Sequence, residues 1–287
     1  MTSRRHAPGA LPTFLIAGAM KAGTTSLAQL LTRHPDIGMA SAKELHYFDR
    51  REMPALDWYT ARFAHVADRK ARFEATPNYI YLPHAAERIA RDLPASVRFL
   101  VVLRDPVDRA YSQYWHGRRV GAIAVSFEDA LRLEPVRLGE GTHAWGSLVD
   151  RGRYVGQLRR FAERVGRERL LVLLFEELVA APAAVADRVA GFVGVAPLEG
   201  AWGAVPHEHR ARRSVVPPAI IAGIKRSALA RRALPRRIFF GVDQLLSVPF
   251  RPPPMDPATR AALAQRFRAD NEALAEWLGR DLSGWTR

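Results

Sequence analysis

Four short apolar runs, at residues 13–17, 72–75, 97–103 and 170–175, alternate with stretches of helical spacing, and that alternation limits the chain more than any other feature. Strands alternating with helices predict an α/β fold. The expected architecture is P-loop-like, a mainly parallel sheet with helices on both faces. After the first run and its glycine loop, residues 24–32 read as a helix with Leu27, Leu30 and Leu31 on one side. A helix-like segment spans residues 84–92, and Pro106 can sit in the first turn of the helix that follows the third run. Tyr154, Leu158, Phe161 and Val165 repeat at helical spacing and stop at Gly166. The last helix, over 257–278, carries Leu263, Phe267, Leu274 and Trp277 as packing residues.

With 287 residues, 48% hydrophobic and 25% charged, the chain predicts a packed globular protein, read here as one domain. Residues 1–12 are expected to be a flexible N-terminus, and residues 219–255 a basic Pro/Arg-rich surface connection rather than a membrane-touching element. No run reaches eighteen apolar residues and the N-terminus lacks a signal-peptide core, which predicts a soluble, cytoplasmic protein without stable membrane insertion. With no cysteine, chemistry must come from oxygen and nitrogen groups. The net charge of +14 favours anionic ligands. Only four of the 43 basic residues are lysine, and Lys21 and Lys43 fall beside the motifs below.

"GAMKAGTT", residues 18–25, has the outline of a phosphate-binding loop, but Thr24 stands where that motif keeps its lysine and Lys21 comes three positions early. A strand-to-helix loop offers backbone N–H groups and a helix dipole to an anion. Lys21 in mid-loop suits charge on a leaving oxygen, and Thr24, Thr25 and Ser26 add hydroxyls. The plainer reading is a glycine turn that holds nothing. "LRDPVDRAYSQYW" puts Arg104 at the carboxyl end of the third run and Ser112 within the next helix, a candidate second phosphate site. Alternatively Arg104 pairs with Asp105 or Asp108, and the strand ending in Asp105 also resembles a magnesium-binding segment of ATPases. In "SAKELHYFD", an extended chain would point Glu44 and His46 the same way, with either able to take a proton and glutamate preferred.

In order along the chain, "FLIAGAMKAGTTSLAQLLTRHPDI", "KELHYFD", "EATPNY", "VVLRDPVDRAYSQY", "YVGQLRRF" and "LGRDLSGW" resemble the sulfotransferases that use 3′-phosphoadenosine-5′-phosphosulfate (PAPS), above all the heparan sulfate type and its bacterial relatives. The resemblance implies that Lys21, Ala22, Gly23, Thr24, Thr25 and Ser26 hold the 5′-phosphosulfate. It implies that Arg104 and Ser112 hold the 3′-phosphate, with Tyr154 near the nucleotide and Arg213 and Ser214 in the basic turn "HRARRS". Glu44 would be the catalytic base and His46 its helper, with Lys21 facing the leaving oxygen. One departure stands out: many glycosaminoglycan members carry a lysine where this chain has Ala75.

The expected reaction moves a sulfuryl group from PAPS, leaving PAP, to a hydroxyl or amine of a small-molecule or carbohydrate acceptor, with no metal and no nucleic-acid partner. Sugars, lipids, natural products and phenols remain open as acceptors, and oligomeric state is not readable. Two rivals are a P-loop kinase using ATP and magnesium, and a non-catalytic polyanion binder built on arginines such as Arg210, Arg212 and Arg213. "HEH" at 207–209 is read as exposed histidines rather than a metal site.

Overall fold

The computed structural model describes residues 10–139, 143–203, 212–214 and 247–286. The chain divides into two compact units, residues up to 104 with 154–206, and residues 105–153 with those from 207 onward. Several positions singled out in the sequence lie outside the described residues: 1–9, the histidines of 207–209, Arg210, and 219–246 of the basic connection.

The first unit holds strands β1 (Phe14–Gly18), β2 (Ile37–Met39), β3 (Ala71–Ala75), β4 (Arg98–Leu103) and β5 (Leu170–Leu174). They form one sheet in the order β2-β3-β1-β4-β5, with every pairing parallel. β1 lies at the centre, which is why its five residues are all buried and read as one apolar run. β2 has only three residues, too few to stand out as a run in the sequence.

Six helices of this unit, numbered along the whole chain, are α1 (Thr24–Leu31), α2 (Leu56–Thr60), α3 (Pro83–Asp92), α7 (Tyr154–Val165), α8 (Phe175–Ala180) and α9 (Pro182–Val193). Neighbouring strand residues point to opposite faces. Arg98 of β4 reaches the Phe192 ring of α9 at 5.3 Å, whereas Phe99 meets Phe161 of α7 edge-on at 5.2 Å, so α7 and α9 cover opposite faces. α3 packs on α7 and α1 on α9, which completes a helix layer on each side. α7 buries Tyr154, Leu158, Phe161 and Val165 and ends at Gly166 with φ 93°, as its spacing predicts.

The second unit holds α4 (Pro106–Arg119), α5 (Phe127–Gly139), α6 (His143–Gly146), the antiparallel pair β6 (Arg212–Ser214) and β7 (Ser247–Pro249), and α10 (Pro257–Leu278). Its core gathers Val107, Tyr114, Phe127, Leu148, Leu263 and Phe267. The Asp105 carboxylate accepts from the Val107 and Asp108 amides and caps α4, with Pro106 in the first turn. Asp108 is paired with Arg260. Among the described residues, no helix is long and apolar enough to cross a membrane.

Candidate active site

In open parallel sheets, ligands bind outside the carboxyl ends of the strands. Three adjacent strands, β3, β1 and β4, end there in the segments singled out in the sequence: "TPNY" after Ala75, the glycine loop from Gly18, and Arg104.

The loop after β1 turns on Lys21 (φ 67°) and on Gly23 (φ 91°), which is the N-cap residue of α1. Gly23 is needed twice over. Its φ lies in the left-handed region, and a Cβ there would sit 2.7 Å from a ring carbon of Phe175. No side chain caps α1 and no acidic residue occupies its first turn, so the amides of Thr24, Thr25 and Ser26 have no intrahelical acceptor and face no competing carboxylate within that turn. Such a cradle fits an oxyanion. Thr24 is buried, while Lys21, Thr25 and Ser26 are half-buried. Arg104, also half-buried, lays its guanidinium 4.8 Å from the centre of the same Phe175 ring. Tyr154 is only 1% exposed and its hydroxyl donates to the Arg104 carbonyl at 2.8 Å, so it anchors the backbone of Arg104.

Residues 43–49 depart from the extended chain expected of them. They contain no strand, and both Glu44 (φ 57°) and His46 (φ 51°) are left-handed. The two side chains still converge, with His46 Nε2 3.6 Å from Glu44 Oε2, because two left-handed residues flanking Leu45 fold the chain into a turn. Lys43 Nζ donates to the other oxygen, Glu44 Oε1. His46 Nδ1 lies 2.8 Å from Asp49 Oδ2, which also accepts from Asn78 Nδ2 at 3.0 Å. Burial works against the Glu44 charge, but hydrogen bonds from His46 and Lys43, with their positive charges, hold its carboxyl down at about 2. The Asp49 hydrogen bond, then that of Glu44, pushes the His46 imidazole up to about 9 against the cost of burial. At neutral pH the pair is therefore a carboxylate beside an imidazolium, and only Glu44 has room for a proton.

Of the residues singled out in the sequence, the first unit brings Lys21, Ala22, Gly23, Thr24, Thr25, Ser26, Glu44, His46, Arg104 and Tyr154 to its carboxyl edge. Ser112, half-buried in α4, and Arg213 and Ser214, in β6, belong to the second unit. Asp105, the candidate metal ligand of the kinase rival, is occupied as a helix cap. Burial and then the charge of Asp108 push its carboxyl up to about 6. Asp49, Asn78 and the buried Glu74 were missed, although Asp49 stands three residues after His46 within a quoted motif.

A sulfotransferase-domain family model matches residues 11–205 of the chain. The chain belongs to the sulfotransferase family. Among curated relatives, it is 39% identical over 107 residues to the membrane-associated sulfotransferase kil1 of Dictyostelium discoideum, covering 36% of this chain and 22% of that one. It is 31% identical over 185 residues to human heparan sulfate glucosamine 3-O-sulfotransferase 3B1, covering 64% of this chain and 46% of the relative. The chain thus spans less than half the length of either relative. The crystal structure of a sulfotransferase from Alicyclobacillus acidocaldarius superposes with a TM-score of 0.73 at 27% identity, over 97% of this chain and all of the other.

Proposed function

We propose that this sulfotransferase-family chain moves a sulfuryl group from PAPS to a hydroxyl or amine of a carbohydrate or other small acceptor. The observation that carries the reading is the Glu44 carboxyl group, held between Lys43 and His46, on the strand edge that also carries the cradle of Lys21 and Gly23. PAPS supplies an activated sulfuryl group whose leaving oxygen belongs to a 5′-phosphate.

Lys21 and the first-turn amides of α1 hold that phosphate and neutralise the charge it gathers as the S–O bond breaks. Arg104 holds the 3′-phosphate, its backbone fixed by Tyr154. Glu44 takes the acceptor proton as the new bond to sulfur forms, and His46 stays protonated to orient it. A carboxyl held at about 2 is a weak base at rest. Its basicity rises when Lys43 turns from Glu44 to the sulfuryl oxygens. Lys43 thereby supplies the ammonium that many relatives place at the position of Ala75.

Sulfur-labelled PAPS offered with a panel of oligosaccharides, phenols and lipid headgroups tests this. Label should pass to a member of the panel, and Lys21→Ala should lower the rate by about 10²-fold or more at an unchanged melting temperature. Undiminished transfer by Lys21→Ala would remove the mechanism.

A further inference from the structure

The catalytic turn is built from conformations that non-glycine residues avoid, so something must impose them. Among the described residues, four non-glycine positions have positive φ, and two of them, Glu44 and His46, flank Leu45 in this turn. Three hydrogen bonds reach its amides. Glu44 N–H donates to the Ala75 carbonyl at 3.0 Å, His46 N–H to Thr76 Oγ1 at 3.4 Å, and Tyr47 N–H to the Tyr79 hydroxyl at 3.0 Å. Arg50 takes the opposite side, donating through Nε to the His46 carbonyl at 2.9 Å and through a terminal nitrogen to that of Leu45 at 3.2 Å.

Two of the three amide acceptors are hydroxyls, and a hydroxyl that accepts from the turn must send its own proton elsewhere. Both protons go to one group. Thr76 Oγ1 donates to Glu74 Oε2 at 2.7 Å, and the Tyr79 hydroxyl donates to Glu74 Oε1 at 2.7 Å. The Tyr59 hydroxyl donates to the same Oε1 at 3.0 Å, and Tyr59 meets the turn by its ring alone, stacked on Tyr47 at 4.4 Å, a contact that phenylalanine keeps. Glu74 is 0% exposed and pairs with no cation among the described residues, yet it accepts from all three hydroxyls. Burial pushes the Glu74 carboxyl up and the hydrogen bonds from Thr76, Tyr79 and Tyr59 work against that rise; by accepting from both hydroxyls, Glu74 orients Thr76 and Tyr79 with their lone pairs toward the turn.

We propose that Glu74 is a positioning residue: through Thr76 and Tyr79 it holds residues 44–47 in the left-handed turn that sets Glu44 against His46. The proposal rests on the reading of Glu44 and His46 as the proton-handling pair. An amide in place of Glu74 would offer N–H to one side of the network, turn a hydroxyl around, and release an amide of the turn. His46 would then lose its fixed approach to Glu44 and Asp49, the two acids that face it, with Lys43 beyond Glu44 and His84 at the Asp49 carbonyl 3.5 Å away.

The test is an NMR titration of the His46 ring nitrogens in the full chain, which needs no acceptor. In Glu74→Gln, Thr76→Val and Tyr79→Phe the ring should titrate lower than in the native protein by about one pH unit or more. In Tyr59→Phe it should titrate as in the native protein, and PAP affinity should stay within about twofold in all four, because the proposed phosphate cradle follows β1 whereas the turn follows β2. An unchanged His46 titration in folded Thr76→Val and Tyr79→Phe overturns the relay, even if Glu74→Gln fails to fold. Glu44→Gln separates the two ideas: full sulfuryl transfer by that variant removes the proton-handling role and leaves the relay to stand or fall on the titration.

Discussion

At neutral pH the Glu44 carboxylate faces two cations, and His46 owes its charge to the acids beside it, Asp49 and Glu44. Its pH dependence follows from the signs. The His46 imidazole is raised from 6.5 to about 9, so its contribution to stability is complete below pH 6.5 and is lost as the pH rises through about 9. Glu44 is lowered from 4.5 to about 2, so its contribution is present above pH 4.5 and lost as the pH falls toward 2. Melting temperatures measured from pH 6.5 to 9.5 should therefore fall more steeply in the native protein than in His46→Gln. Parallel curves would show that the ion pair contributes nothing. Lys43→Ala should raise the pKa of Glu44 yet slow transfer by about 10²-fold, because the ammonium that meets the sulfuryl oxygens is lost. A faster Lys43→Ala enzyme, read by labelled-donor kinetics, would mean that lysine only restrains the base.

Among the elements, the strand-loop-helix of β1 and α1 depends on its glycine at position 23. Gly23→Ala should destabilise by about 1–3 kcal/mol, from the left-handed backbone and the 2.7 Å approach to Phe175, seen as a lower urea midpoint at constant m. An unchanged midpoint would mean that Phe175 moves aside and the loop tolerates a side chain. The sheet's buried strands and α7 were legible in the sequence because burial on both faces demands unbroken apolar runs, and a helix needs one apolar stripe. The loop's shape was legible for the same local reason. What was not legible is the turn at residues 44–47. Its conformation comes from Thr76 and Tyr79, some thirty residues away in the chain, and no pattern of spacing within "KELHYFD" reports a partner at that distance. Glu74 was hidden in turn: it falls within the run at 72–75, and nothing in that run reports the hydroxyls of Tyr59, Thr76 and Tyr79 that gather on it.

For the whole molecule, the net charge of +14 is compatible both with a small donor that bears two anionic groups and with a long anionic polymer, and salt separates them. A polyanion binder neutralising many phosphates or sulfates loses affinity steeply with salt, whereas a site built from a helix N-terminus and a few cations loses little. The decisive measurement is a calorimetric titration of the full chain with PAP and, separately, with ATP and magnesium. The account predicts one PAP per chain, a shallow salt dependence, weaker binding in Arg104→Ala, and no heat from ATP with magnesium. Saturable binding of ATP with magnesium alongside no binding of PAP would contradict it.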